Sequence, residues 1–247
     1  MNILLVIGLA LACLLTSIFS AVFGVAGGMM LFVVLSILLD VTIALPLHAA
    51  AQSVSNIARV AIATEHLEWP VIWRYSLLII PGAYLGSLLY AYLSPDWLEI
   101  GMGVTILIFT LKPLESAEKN GVHYPTFIVL GFVSGFLGMI IGVVGPLISP
   151  FFSRNGISKE RMVATKAACQ AIVQLVKIPT FGLVIKFNYQ EYLWPMVTIC
   201  IVTIFGTWVG KKLITRIPDH HYHRWEKAIL CVLSLILIGK AAYKLTI

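Results

Sequence analysis

Apolar runs long enough to cross a lipid bilayer recur from one end of this 247-residue chain to the other. Ile3 to Val22, Val71 to Tyr92 and Trp225 to Ile247 are three of them, each near the ~20 residues that span a hydrocarbon core as a helix. Backbone in lipid can be satisfied only within helices or a closed barrel. The runs are continuously apolar and lack the alternation over ~10 residues that marks barrel strands, so an all-helical polytopic membrane protein is expected. Composition agrees, with 60% hydrophobic and only 11% charged residues, where a soluble domain carries about 25% charged. No stretch is polar enough or long enough for a separate soluble domain.

The net charge of +6 does not point to nucleic acid, because the cations are scattered through inter-helix loops without an aromatic-interleaved basic stripe. Cys13, Cys169, Cys200 and Cys231 lie inside apolar segments without CxxC spacing and read as core filler. Only Met1 and Asn2 precede the first apolar run, so it reads as a retained span, not a signal peptide.

The chain repeats itself. A shift of 118 residues lays Phe23-Gly24-Val25-Ala26-Gly27-Gly28 over Ile141-Gly142-Val143-Val144-Gly145-Pro146, and with no gap also His48 over Lys166, Gln52 over Gln170, Asn56 over Gln174 and Arg59 over Lys177. Further on, Pro81-Gly82 with Gly86 resembles Phe205-Gly206 with Gly210, and Leu98-Glu99 resembles Trp225-Glu226. The expected organisation is one membrane domain with a first repeat at 1–111, an inter-repeat loop at 112–123 and a second repeat at 124–247. Each repeat reads as five segments: 3–23, 29–39, 44–63, 71–92 and 97–111, then 124–141, 147–152, 160–180, 194–210 and 225–245. The second of each set is too short to cross. Residues 29–39 reach only ~16 Å as a helix, about half the hydrocarbon thickness, so each repeat is expected to carry one half-length broken helix.

Five segments per repeat would leave the second repeat inverted relative to the first. In that drawing eleven of the seventeen Lys and Arg fall on one membrane face and three on the other, with Arg59, Lys166 and Lys177 inside helices. The majority face is expected to be cytoplasmic. Fusing each half-helix to its successor would instead bury Arg154, Lys159 and Arg161 without partners, at high cost.

Glycine-rich breaks and polar stripes carry the candidate chemistry. Gly24, Gly27 and Gly28, with Gly142 and Gly145 in the second repeat, interrupt apolar helices and leave helix-start N–H groups that suit an oxyanion. Pro146 fits a first helical turn, where its missing N–H would be unpaired anyway. The alternative reading is that these glycines serve only close helix packing. His48, Gln52, Asn56 and Arg59 are spaced along one helix face, as are Lys166, Gln170, Gln174 and Lys177. Such stripes face a bundle interior or wet cavity, where amides donate to an anion or simply bond between helices. Lys166 would supply charge or else snorkel to the interface. Histidine is the side chain that can change charge near neutral pH, which makes His48 a candidate for proton coupling, whereas Arg59 and Lys177 read as gating residues or helix-end markers. Glu65, His66 and Glu68 read as an interfacial turn, and His220, His221 and His223 as part of a basic loop, so no metal site is expected. No P-loop, nucleophile elbow or HExxH pattern occurs. Neither a catalytic residue nor a cofactor is therefore expected, and the chain does not read as an enzyme.

The break at residues 23–28, followed by His48-Ala49-Ala50-Ala51-Gln52-Ser53-Val54-Ser55-Asn56, resembles the sulfite exporter TauE/SafE family of membrane permeases. Residues 142–146 with Ala164-Thr165-Lys166-Ala167-Ala168-Cys169-Gln170 look like that family's second copy. The resemblance spans essentially the full chain. It implies a secondary transporter moving sulfite, organosulfonates or similar sulfur-containing anions across a prokaryotic cytoplasmic membrane. Gly24, Gly27 and Gly28 match the family's glycine pattern, while Val144 and Pro146 depart from it. An anion channel, or a carrier of a carboxylate, is the alternative. The expected partners are the anion and the bilayer, and the sequence is compatible with a coupled proton or sodium ion and with a homodimer. If the repeats are inverted as the charges indicate, an N-terminal tag will be cleaved by external protease in intact cells. Full protection of the tag would refute the inverted arrangement.

Overall fold

The computed structural model describes residues 3–23, 25–112, 124–152, 158–213 and 219–246, with side chains undescribed at 3–5, 20–23, 25–26, 159, 211–213 and 219–226. The inter-repeat residues 113–123, the basic-loop residue Arg154, the side chains of His220, His221 and His223, and the site candidate Gly24 all lie outside that description. The described residues are all helical or irregular, without strands, as expected.

Eleven α-helices are described: α1 (Ile3–Phe23), α2 (Val25–Leu38), α3 (Val41–Ala61), α4 (Trp69–Ser76), α5 (Ile79–Tyr92), α6 (Pro95–Leu111), α7 (Tyr124–Ile141), α8 (Gly145–Phe152), α9 (Lys159–Leu183), α10 (Leu193–Leu213) and α11 (Asp219–Thr246). By length and composition Tyr124–Ile141, Leu193–Gly210 and Lys227–Thr246 can each cross a membrane among the described residues, and α4 with α5 can do so as a bent pair. Ser94 caps α6 by accepting from the Trp97 N–H, and Ser158 caps α9 by accepting from Arg161, each satisfying one orphan donor of a first turn.

Two boundaries differ from the sequence reading for identifiable reasons. The 71–92 run is not one helix but two, bent by 40° between Ser76 and Ile79. Pro81 lacks the N–H that would bond Leu77, and its ring crowds that carbonyl, which is what bends a helix four residues back. The short helix after the first break also starts at Val25, earlier than 29. One residue separates it from α1, because Val25 and Ala26 continue the apolar run and glycine is tolerated in a first turn. At 14 residues α2 is ~21 Å long and α8, at 8 residues, ~12 Å. Neither spans a ~30 Å core.

The helices gather into two compact units, and neither coincides with a half of the sequence. Unit 1 holds α1, α2, the start of α3 through Ala51, α6, α10 and α11. In it α1 packs on α10 and α2, and α11 on α6 and α2, around Leu9, Cys13, Leu31, Leu35, Leu47 and Ile199. Unit 2 holds α3 from Gln52, α4, α5, α7, α8 and α9. There α7 packs on α4 and α5, and α9 on α4, α5, α7 and α8, around Tyr75, Phe127, Ile148, Phe152 and Cys169.

One contact recurs in both units with the sequence halves exchanged. A Cβ on Gly82 of α5 would strike the carbonyl of Phe132 and crowd the N–H of Phe136 on α7, and one on Gly206 of α10 would strike the Leu14 carbonyl and the Ser17 Cβ and touch the N–H of Ile18 on α1. Leu14 and Phe132 are 118 residues apart, as are Ile18 and Phe136. Gly86 similarly meets Phe136, while Gly131 and Gly135 on α7 meet the backbone of Tyr75 and Ile79. Gly82 with Gly86 and Gly131 with Gly135 therefore form small-xxx-small faces that bring two backbones together in an apolar solvent. Gly82→Ala or Gly135→Ala is expected to cost about 1–3 kcal/mol through overpacking. Gly8→Ala, where a Cβ meets nothing within 4 Å, should leave the thermal unfolding midpoint in detergent unchanged or slightly raised.

Candidate functional site

A helix that breaks within an apolar bundle exposes carbonyls and N–H groups that lipid cannot satisfy. The sequence-derived stripe residues meet them. In unit 1, His48 Nε2 bonds the Gly28 carbonyl in the first turn of α2 at 3.0 Å. Its ring stands edge-on to Phe32 with centroids 5.3 Å apart, and the residue is buried. Gly27 is the third residue of α2, so its N–H remains among the first-turn donors without an intrahelical acceptor. His48 can sit there because α3 carries it one turn before Gln52, on the face that also turns Ala44, Leu47 and Ala51 inward.

In unit 2 the break lies between α7 and α8. Gly142 adopts φ +80°, a left-handed conformation that favours glycine, and ends α7 so that α8 restarts at Gly145. Lys177 Nζ donates to the Gly142 carbonyl at 3.1 Å. Lys177 is wholly buried and lies six residues inside the C-terminal end of α9, so it does not mark a helix end. Lys166, eleven residues earlier, donates to Ser149 Oγ at 3.3 Å, and Ser149 donates onward to the Gly145 carbonyl at 2.7 Å. Half-buried Lys166 is thus tied to α8 and does not snorkel outward. Among the described residues neither Lys166 nor Lys177 has a carboxylate partner. Arg59, half-buried near the end of α3, lies within electrostatic reach of Lys166, so two like charges act on each other there.

The amides of the two stripes belong to the same unit. Gln52, Asn56 and Gln174 are buried and Gln170 is half-buried. Among the described residues the acceptors Asn56 Oδ1 and Gln174 Oε1 have no hydrogen-bond partner, an arrangement that costs stability. Unit 2 therefore collects cations and amide groups on α3 and α9 beside a helix start at Gly145, a set of donors suited to an anion. The apolar groove lined by Ile80, Tyr84, Leu175 and Pro179 holds none of them.

Glu65 and His66 lie on a 3₁₀ turn, Thr64–His66, with His66 Nε2 3.5 Å from Glu65. Glu68 just beyond donates its backbone N–H to Thr165 Oγ1 on α9 at 3.0 Å, fixing this turn to the stripe helix next to Lys166. The sequence reading missed Ser149 and Thr165. Only the fold brings Ser149 to Lys166 and the Glu68 N–H to Thr165.

If Lys177 serves function and not stability, Lys177→Met, which keeps the stem and removes the charge, should unfold at the same temperature as wild type or higher. Lys177→Ala, which leaves a cavity, should lose about 2–4 kcal/mol. Thermal unfolding of the purified protein in detergent measures both, and a large loss for Lys177→Met would make the lysine structural.

Comparison with known families gives one match. The family model described as sulfite exporter TauE/SafE matches residues 9–239. Among the curated proteins and the solved structures, none matches this chain.

Proposed function

The chain belongs to the sulfite exporter TauE/SafE family, and from that membership we propose that it is a secondary transporter whose substrate is a small sulfur-containing anion, sulfite or an organosulfonate. The family makes it a multi-pass cell-membrane transporter of sulfite or related anions. The finer assignment is our own reading. The observation that carries it is the pairing of cations without carboxylate partners, Lys166 and Lys177, with the buried amides Gln52, Asn56 and Gln174 in one unit.

In this reading Gln52 and Gln170 donate hydrogen bonds to the oxyanion and Lys166 supplies charge. Asn56 and Gln174 extend the amide surface, and the N–H groups that open α8 after Gly142, including that of Gly145, contribute the positive end of a helix dipole. Gly24, Gly27 and Gly28 play the matching part in the first repeat, and His48, Arg59 and Lys177 serve coupling or gating. A sulfonate or sulfite presents oxygens that accept from amides without needing a proton, and its charge offsets the cost of an unpaired ammonium in a low-dielectric interior.

Two related repeats fit this mechanism, because alternating access in such proteins proceeds by rocking one repeat or bundle against another. The contact of Gly82 with α7, made again by Gly206 with α1, supports the duplication. In this reading the partners of the single membrane domain are the anion and lipid, and the arrangement is compatible with a coupled proton or sodium ion and with a homodimer.

Uptake of labelled sulfite into proteoliposomes, competed by unlabelled sulfonates, tests the reading. Saturable flux accelerated by substrate on the far side is expected. Gln52→Ala and Gln170→Ala should each reduce kcat/KM about tenfold or more, the worth of a hydrogen bond to a charged group, with unfolding temperatures unchanged. Full flux in the double variant would remove both residues from the site. Saturable flux for carboxylates but not for sulfur oxyanions would overturn the substrate.

A further inference from the structure

A second polar centre lies in unit 1, away from every residue used above. Lys240 of α11 donates from Nζ to the Ser36 carbonyl, to the Leu39 carbonyl at 3.4 Å and to Glu99 Oε1 of α6 at 3.1 Å. Ser36 lies in the last turn of α2 and Leu39 just beyond it, where a short helix presents unpaired carbonyls and the negative end of its dipole. Glu99 is wholly inaccessible while the Lys240 side chain is 24% exposed. Among the described residues, Glu99 Oε2 and Ser36 Oγ are buried without a hydrogen-bond partner. Four residues further along α11, Lys244 pairs with exposed Asp40 at 3.5 Å.

An ordinary salt bridge between α6 and α11 would require only the carboxylate. Here the ammonium also draws in two carbonyls from a third helix, so its surroundings are all oxygen and carry one formal negative charge. That is the environment of a bound monovalent cation. In transporters with broken helices, half-helix C-terminal ends and freed carbonyls hold the coupling ion. A buried carboxylate with one oxygen unsatisfied is also a poor way to gain stability, since an apolar replacement of similar size is often neutral or better. A polar group retained at such a place in a membrane protein points to an ionic role.

We propose that the C-terminal end of α2, through the carbonyls of Ser36 and Leu39 with the carboxylate of Glu99, is a monovalent-cation seat that Lys240 fills as a tethered cation in place of a free alkali ion. Lys240 thereby joins α2, α6 and α11, and no free sodium or potassium is required at this position. Removing the ammonium while leaving the oxygens opens the seat to an ion from solution. The proposal does not depend on which anion the protein carries.

The test is thermal unfolding of the full chain in sodium, potassium and choline chloride at equal ionic strength. Wild type is expected to unfold at the same temperature in all three. Lys240→Ala should unfold lower in choline and regain about 5 °C, saturably, in sodium or potassium, as expected for a ligand well above its Kd. Adding Glu99→Gln to Lys240→Ala should abolish that response. Equal unfolding temperatures for folded Lys240→Ala in the three salts, or a cation response that survives Glu99→Gln, would overturn the proposal. So would failure to recover folded Lys240→Ala in any of the three salts, because a free ion at high concentration should replace the tethered one.

Discussion

Where a helix stops inside a bilayer, its terminal carbonyls have no water to bond, and in this protein lysines from other helices meet them. Lys177 bonds Gly142 at the end of α7, and Lys240 bonds Ser36 and Leu39 at the end of α2. Each contact joins helices that are not consecutive in the chain, so satisfying a broken backbone also ties the tertiary fold together. The donors in turn hold their charge in an apolar interior because the carbonyls receive it.

Packing follows the same economy of close approach. The glycines of α5 and α7 let two backbones touch, and Gly206 does the same for α10 against α1. In lipid, association between helices comes from such van der Waals contact and from interhelical polar bonds, since apolar burial offers little difference. The recurrence of one contact at positions 118 residues apart means that each half of the chain supplies a helix that packs closely on a helix of the other half. Neither half therefore builds a compact unit alone, which agrees with the mixed composition of both units.

The two polar centres differ in kind. That of unit 2 has cations and amides without carboxylate partners among the described residues, and its positive charge suits an anion. That of unit 1 has a carboxylate and helix carbonyls around one ammonium, which leaves acceptors over and suits a cation. The first is where the proposed function puts the transported anion. The second is set by local chemistry alone.

Much was legible in the residues themselves. Hydropathy gave the helices and glycine the breaks, and a spacing of three and four put Gln52, Asn56, Gln170 and Gln174 on stripes that the fold buries or half-buries. Those are local properties, fixed by the transfer energy of each side chain and the turn of a helix. The bend at Pro81 was also local, but the apolar run around it concealed it. What the sequence could not disclose was pairing: that Lys177 reaches Gly142, that Ser149 and Glu68 meet the stripe helix at Lys166 and Thr165, and that Glu99 and Lys240 close on the end of α2. Such contacts join residues up to 204 positions apart, and only the tertiary structure decides them, because they depend on which backbones can approach closely enough for a side chain to span the gap.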